Sequence, residues 1–283
     1  MSPIPRQCVS DGKKYTLLDQ KTHGEIRIVD PWEATGKESF LKTSEAGHDR
    51  NDCPPPAKIL AVYTSEKAIK VSCLHNLLKG IIDFQCPGSD YKIDEYPLRT
   101  SASEDKVGKQ PFWPNGQLGN LYRIEEARDI VLQDPKVELK DYFAIFILSI
   151  ESDIDDKRDV PGAVPYDQPN MMIYECFSGH YVSGVGRGPG VQEDILAIVK
   201  GDGFLDEDGP KLAGKVEYGK YLADLFSTKD DKIDSGDWHC KVSDYPRAHH
   251  FQELSGELSK VAKEKLLKGE IHFNLPCKSK LLA

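Results

Sequence analysis

Short apolar runs alternate with amphipathic segments through the middle of the chain. Residues 58–63 (KILAVY) form an apolar run of strand length, and residues 65–79 then carry apolar side chains at helical spacing. Residues 142–150 (YFAIFILSI) are the most hydrophobic stretch, too continuous for a half-exposed strand and too short for a typical helix. The pattern therefore predicts a β-loop-α unit and, later, a central strand buried on both faces.

The alternation of strand-like and helix-like patterns continues on both sides of that central strand. We predict further strands at residues 84–96 and 171–177, and helices at residues 118–133, 191–200, 218–226 and 251–267. A glycine-rich turn at residues 179–190 leads into the helix at 191–200. The sequence therefore predicts an α/β fold in which a mixed central sheet is flanked by helices.

The chain divides into a central domain and two extensions. The three prolines at positions 54–56 interrupt the chain just before the first apolar run. We interpret residues 1–56 as an N-terminal extension with a short strand near residues 24–30. The folded domain is placed at residues 57–228, and residues 229–283 are interpreted as a C-terminal extension whose helix packs on that domain.

The charge balance of the chain is acidic. There are 37 Lys and Arg residues against 46 Asp and Glu residues, which gives a net charge of -9. Such a balance opposes binding to phosphate backbones, so we expect no nucleic-acid partner. The longest apolar stretch, residues 143–148, is much shorter than the roughly 20 residues that span a bilayer, and the first ten residues lack the apolar segment of a secretory signal. We therefore expect a cytoplasmic protein without a membrane partner.

Cysteine, histidine and aspartate side chains are candidate metal ligands. The seven cysteines include no C-x-x-C pair, which favours reduced thiols over a disulfide framework or a structural zinc site. One cluster has the chemistry of metal ligands and consists of Asp237, His239, Cys240, His249 and His250. No standard zinc spacing joins these residues, and isolated histidines are more often surface or capping residues. Both interpretations of the cluster stay open.

A sequence motif begins just before the helix predicted at residues 118–133 and continues into that helix. Gln110-Pro111-Phe112 is followed by Gly119, by Arg123 and by the pair Ala127-Arg128, and the central strand is followed by Ile150-Glu151-Ser152-Asp153-Ile154. This order and spacing resemble the Q-P-x-G, G-A-x-x-R and alanine-arginine pattern, and then the I-E-x-G-I pattern, of the inosine/xanthosine triphosphatase family. The match spans about residues 58–226.

The loop after the first predicted strand also resembles this family. Residues 65–70 occupy the place of its S/T-N-P-x-K loop, and Lys70 is in register with the lysine that contacts phosphate. Three places depart from the family pattern: Lys67-Ala68 stands where the family has Asn-Pro, Asn120 where it has alanine, and Asp153 where it has glycine. We expect all three to lie in the nucleotide cleft.

The resemblance implies a fold, an activity and a set of site residues. The fold is an inosine triphosphatase-like architecture, and the activity is metal-assisted attack of water on the phosphates of purine nucleoside triphosphates such as ITP and XTP. Mg²⁺ or Mn²⁺ is the implied cofactor, and the resemblance favours a homodimer. The implied catalytic and metal-binding residues are Glu151 and Asp153, and the candidate substrate-binding residues are Ser65, Lys67, Lys70, Gly119, Arg123 and Arg187.

The chemistry of these side chains agrees with hydrolysis of a triphosphate. Glu151 and Asp153 follow a central strand, where carboxylates face the usual crevice of an α/β sheet and suit a divalent cation. Lys70 lies near a helix start, where backbone amides and a lysine together bind phosphate. Arg123 can bind a phosphate through two nitrogen atoms. Arg187 lies in a glycine-rich segment that matches no phosphate-loop motif.

Each candidate also has an ordinary structural interpretation. The carboxylates are typical of a solvated acidic loop, the lysines of an exposed helix face, and Arg123 of a surface pair with Glu125 or Glu126. Three functions therefore stay open at this point. The chain is a metal-dependent nucleoside triphosphate phosphatase, a non-catalytic binding or scaffold protein, or an enzyme for another phosphorylated or small-molecule substrate.

Overall fold

The structure of the protein is a computed structural model. It describes residues 6–10, 13–17, 26–36, 57–101, 106–108, 110–156, 164–191, 193–200, 213–214, 217–227, 238–239 and 246–275. Two members of the metal-ligand cluster, Asp237 and Cys240, lie outside these ranges.

Strands and helices alternate along most of the described chain. The strands are β1 Arg6–Ser10, β2 Lys13–Leu17, β3 Arg27–Ile28, β4 Ala57–Tyr63, β5 Tyr91–Pro97, β6 Gln110–Pro111, β7 Tyr142–Asp155, β8 Tyr166–Glu175, β9 Tyr181–Val185 and β10 Ala213–Gly214. The helices are α1 Pro31–Thr35, α2 Ala68–Gln85, α3 Asn115–Gln133, α4 Glu193–Lys200, α5 Tyr218–Phe226 and α6 Arg247–Leu267.

Six strands form one mixed sheet in the order β3-β9-β8-β7-β4-β5. β4 lies parallel to both of its neighbours, β5 and β7, whereas the pairs β7–β8, β8–β9 and β9–β3 are antiparallel. β7 pairs with β4 along residues 142–148 and with β8 along residues 146–155. β4 ends at Tyr63, opposite Leu148, but β7 continues to Asp155. A crevice therefore lies beside the second half of β7, beyond the end of β4.

Side chains on β7 alternate between the two faces of the sheet, as the pleat of a strand requires. Phe146 and Leu148 belong to a buried cluster with α2 and α6. Ile145 and Ile147 belong to a second cluster with α3. Even-numbered positions of β7 thus face α2 and α6, and odd-numbered positions face α3.

Two further packing arrangements complete the core. α6 lies against α2 and buries Leu254, Leu258 and Ala262. α4 and α5 pack around Phe112 and Trp238 in a third cluster. Residues on both sides of the central sheet are therefore fixed by helices from the middle and the later part of the chain.

The predicted α/β class, with a mixed sheet flanked by helices, is confirmed. The predicted central strand lies within β7. The strand predicted at residues 84–96 is wrong in its first part, because α2 continues to Gln85 and β5 begins only at Tyr91. β8 begins at Tyr166 rather than at residue 171, because its first half is a row of buried polar side chains that hides the strand pattern.

The cysteines differ in their bonding. Cys86, which follows α2, is disulfide-bonded, so the expectation of reduced thiols is wrong for this residue. Cys73 and Cys176 are free and buried.

None of the helices in the described part of the chain combines the length and the apolar character needed to cross a lipid bilayer.

Candidate functional site

A cavity of about 520 Å³ opens at the crevice beyond the end of β4. Its walls come from the loop after β4, the first turn of α2, the middle of α3, the second half of β7, the start of β8, α5 and the first residue of α6. Five of the residues predicted from the sequence line it: Ser65, Lys67, Lys70, Arg123 and Glu151. Three elements far apart in the sequence thus bring most of the predicted site together.

Glu151 is the centre of this group. As an odd-numbered residue of β7 it faces α3, where Arg123 Nε donates to Glu151 Oε2 at 2.7 Å. Lys70 reaches the same carboxylate from α2, with Nζ 4.0 Å from Oε1, and donates to the carbonyl oxygen of Ile150 at 3.0 Å. Burial opposes ionisation of Glu151, but Lys70 and Arg123 outweigh it and hold the pKa of this carboxyl below its usual value.

Lys70 lies in a crowded cationic environment. Burial lowers the pKa of Lys70 to about 8; Glu151 opposes this shift, whereas Arg247, Arg123 and Lys67 add to it. A buried lysine that is surrounded by other cations gains from an anionic ligand. The cavity therefore holds positive charge in excess of what Glu151 alone compensates.

Arg123 is positioned by a second contact besides Glu151. Its Nη1 donates to both the carbonyl oxygen and Oγ1 of Thr100, each at 3.1 Å. Arg123 does not form the surface pair with Glu125 or Glu126 that was its alternative interpretation. Glu126 accepts from the backbone N–H of Ser101, and Glu125 lies 3.9 Å from Lys106. Arg123 is therefore fixed with its guanidinium at the cavity wall.

Asp153 lies outside the cavity, although it faces the same side of the sheet as Glu151. Its Oδ2 accepts from the backbone N–H of Gly116 at 3.0 Å, and its Oδ1 accepts from Asn170 at 2.9 Å and from Gln168 at 3.2 Å. Burial raises the pKa of Asp153 to about 8, which the hydrogen bonds from Asn170 and Gly116 partly oppose. A Cβ atom at Gly116 would lie 2.5 Å from Asp153 Oδ2, so this approach requires glycine.

Two other predicted residues also lie away from the cavity. Gly119 is buried in α3. The guanidinium of Arg187 lies over the ring of Tyr166, with 4.8 Å between its Cζ and the ring centroid. Of the three departures from the family pattern, only Lys67 reaches the cavity; Asn120 is buried in α3, where it accepts from Ser149 on β7 at 2.8 Å.

Sequence reasoning missed the cavity residues of the other sheet face. Arg247, the first residue of α6, donates through Nη2 to Ser152 Oγ at 2.7 Å, because the even-numbered Ser152 faces α6. Asp167 on β8, Tyr218 on α5 and Trp238 also line the cavity. Arg247 precedes the helix predicted at residues 251–267, which in the structure begins at Arg247 itself, and Asp167 lies in the polar first half of β8 that was not predicted as strand.

The described histidines of the metal-ligand cluster have different surroundings. His239 is fully buried, with Nε2 3.2 Å from Asp167 Oδ2. His249 pairs with Glu253 at 3.2 Å on the surface of α6, and His250 is buried beside His239. Within the described ranges, the structure contains no group of three or more His, Cys, Asp or Glu side chains that is arranged to hold a metal ion.

Comparison with known proteins gives limited information. No protein-family model matches the chain, and no curated protein matches it. Protein VC0702 from Vibrio cholerae has a crystal structure that is similar over 75% of this chain and 95% of that chain, with 12% identical residues and a TM-score of 0.43.

Proposed function

We propose that the cavity binds a purine nucleoside triphosphate of the ITP or XTP type and hydrolyses its phosphates. The observation that carries this proposal is the convergence of Lys70, Arg123 and Glu151 on one wall of a cavity large enough for such a ligand. Each of these residues was expected from a sequence pattern that resembles inosine/xanthosine triphosphatases. The inosine triphosphatase-like architecture, a homodimer and a cytoplasmic location belong to the same proposal.

The cations of the cavity bind the phosphates in this proposal. The cavity is lined by five cationic side chains: Lys67, Lys70, Arg99, Arg123 and Arg247. Arg123 contacts Glu151 through Nε and Thr100 through Nη1, and these two contacts fix the plane of its guanidinium. Anionic phosphate relieves the mutual repulsion of these cations, and it raises the fraction of Lys70 that is protonated.

A magnesium site that is shared with phosphates needs few carboxylates from the protein, and Glu151 can serve as one. Mg²⁺ is commonly held by one or two carboxylates together with waters and substrate phosphates, and a bound Mg²⁺ or Mn²⁺ polarises the phosphate that is attacked. Glu151 is the predicted metal ligand that lines the cavity, whereas the oxygens of Asp153 accept hydrogen bonds outside it. We therefore assign the metal to Glu151 in this proposal.

A phosphate-release assay tests the proposed activity. The chain is incubated with ITP, XTP, GTP, ATP and their deoxy forms in Mg²⁺ or Mn²⁺, beside Glu151→Gln and the control Glu264→Gln on the exposed face of α6. We expect turnover in the parent and the control, and a loss of about 100-fold or more in Glu151→Gln. Absence of turnover with every nucleotide, or a Glu151→Gln variant as active as the parent, would contradict the proposal.

A second candidate function is binding without hydrolysis. It is favoured by the ion pairs that already engage both oxygens of Glu151. Equilibrium dialysis with the same nucleotides separates the two functions. Saturable binding that weakens in Arg123→Ala, together with no release of phosphate, supports the binding protein.

A further inference from the structure

β7 meets an arginine on each of its two faces at consecutive positions. Glu151 faces α3 and accepts from Arg123 Nε at 2.7 Å. Ser152 faces α6, and its hydroxyl accepts from Arg247 Nη2 at 2.7 Å. Both arginines line the cavity. The two guanidinium groups therefore approach the cavity from opposite faces of the sheet.

The cavity lies at a gap in the pairing of β7. One edge of β7 is paired with β8 along residues 146–155. On the other edge, β4 pairs only as far as Leu148, and Phe112 forms a parallel bridge with Ile154. The residues around the stretch between these two points line the cavity: 64–65, 110–111 and 151–152. A ligand held here lies in the plane of the sheet, between the two arginines.

Lys70 joins the two sides of this gap. It comes from α2, which packs on the same face of the sheet as α6, yet its Nζ lies 4.0 Å from Oε1 of Glu151 on the α3 side. Burial lowers the pKa of Lys70, and Arg247 adds more to this shift than Arg123 does. Because the effect of a charge falls with distance, Arg247 lies close to Lys70.

The interior of the cavity has an excess of positive charge. Its less exposed charged residues are three cations and two carboxylates: Lys70, Arg123, Arg247, Glu151 and Asp167. The exposed charged residues at the rim are two of each sign: Lys67, Arg99, Glu66 and Glu217. Burial opposes ionisation of Asp167, but His239 and Arg247 outweigh it and hold the pKa of this carboxyl below its usual value. Three positive charges thus meet two negative charges in the interior, and the excess favours an anionic ligand.

The described aromatic side chains of the cavity offer little surface to a nucleobase. Tyr218 and Trp238 are each 3% exposed, and their rings pack edge-on with 5.0 Å between centroids. Stacking of a base requires an open aromatic face. We therefore expect most of the affinity for a nucleotide to come from its phosphates.

We propose that the cavity binds a phosphate chain in the plane of the sheet, with Arg123 and Arg247 contacting it from opposite faces, and that inorganic tripolyphosphate is a ligand beside the nucleotides. This arrangement rests on the proposed function, which places phosphates in the cavity. A guanidinium group carries five N–H donors, so one bond to Ser152 does not exclude contact between Arg247 and a phosphate.

Binding of inorganic tripolyphosphate and of ITP to the full chain tests this arrangement. Equilibrium dialysis is run without a divalent cation, so that the proposed metal-dependent hydrolysis does not consume the nucleotide. We expect Arg247→Ala to raise the Kd of both ligands by about tenfold or more, because each loses hydrogen bonds to a charged donor. The control is Lys260→Ala, an exposed cation on the same helix, and should leave both constants unchanged.

Two results of this measurement would overturn the arrangement. Weaker binding of ITP alone in Arg247→Ala would show that Arg247 contacts the nucleoside. A parent that binds ITP but not tripolyphosphate would show that the phosphates do not supply most of the affinity.

Two further variants distinguish phosphate contact from a structural role of Arg247, even if Arg247→Ala fails to fold. Arg247→Gln removes the charge but keeps a donor for Ser152, and we expect about tenfold weaker binding of tripolyphosphate. Ser152→Ala removes the partner but keeps the guanidinium, and we expect a change of less than about threefold. Unchanged binding in Arg247→Gln, or an equal loss in Ser152→Ala, overturns the role of Arg247.

The outcomes also separate this arrangement from the proposed hydrolysis. Phosphate release from ITP, with Arg247→Gln binding tripolyphosphate as tightly as the parent, removes only the role of Arg247. Binding that depends on Arg247 without any release of phosphate supports the arrangement and contradicts the hydrolysis. Absence of binding by both ligands overturns both proposals.

Discussion

Two carboxylates on one strand differ because their neighbours differ. Glu151 and Asp153 both face α3, yet Glu151 meets Arg123 and Lys70, whereas Asp153 meets a backbone N–H and two amides. Charged neighbours keep the first ionised, and burial favours the protonated form of the second. Spacing in the sequence could not separate these two roles.

The raised pKa of Asp153 predicts how stability depends on pH. Its pKa is about 8 in the folded protein against a usual 3.8, so between these values the folded protein holds a proton that the unfolded chain has released. The stability that Asp153 contributes is therefore fully present below about pH 4 and is lost as pH rises towards about 8. Residue 153 carries no charge in Asp153→Asn, and we expect the unfolding free energy of this variant to fall less steeply with pH, by up to about 1.4 kcal/mol per pH unit.

Urea unfolding at several values between about pH 4 and pH 8 measures this difference in slope. The exposed Asp90→Asn should keep the slope of the parent. Parallel curves for Asp153→Asn and the parent would show that Asp153 is ionised in both states.

At the scale of elements, a row of buried hydroxyl and amide groups joins β4, β7 and α3. Thr64 Oγ1 donates to Ser149 Oγ at 2.9 Å, and Ser149 Oγ donates to Asn120 Oδ1 at 2.8 Å. All three residues are at most 1% exposed. Asn120, which departs from the family pattern, is thus explained by its contact with the sheet.

A double-mutant cycle tests this connection. We expect Ser149→Ala to lower the free energy of unfolding by about 1–3 kcal/mol, because it leaves Thr64 and Asn120 without their shared partner. Ser149→Ala and Asn120→Ala together should deviate from additivity by about 1 kcal/mol. Ser149→Ala combined with Leu258→Ala, on the other face of the sheet, should be additive. Additivity in both pairs would exclude the network.

A strand could be predicted from the sequence where apolar side chains make its contacts with the rest of the fold. The centre of β7 was identified because each of its faces meets a helix, which produces a continuous apolar run. The first half of β8 was missed because its buried side chains are polar: Gln168 and Asn170 donate to Asp153, and Asp167 lies beside His239. Hydrogen-bonded burial leaves no periodic signal in a sequence.

At the scale of the molecule, the later part of the chain belongs to the main core. Leu258 on α6 is fully buried against α2, whereas Leu267 at the end of the same helix is 69% exposed. We expect Leu258→Ala to lower the free energy of unfolding by about 2–5 kcal/mol, and Leu267→Ala by less than about 0.5 kcal/mol. Chemical denaturation measures both; equal effects would show that α6 does not contribute to the core.

The site was predictable where its residues lie on the central strand β7 or on α2 and α3, the helices beside it. Lys70, Arg123 and Glu151 carry a local pattern, and the fold brings them together. Arg247 and Asp167 carry none, because their place at the cavity depends on how α6 and β8 pack. The spacing of residues in a single sequence does not show how distant elements pack. The residues on this side of the cavity therefore could not be predicted.

The cavity is closed by residues from Thr64 to Arg247, and the last of these lies on the helix that also covers α2. Under the proposed function, a ligand that contacts Arg247 would stabilise the packing of α6 by mass action. Lifting α6 from α2 would take Arg247 away from the cavity and expose Leu254 and Leu258 to solvent. We therefore expect a ligand bound in the cavity to slow the detachment of α6.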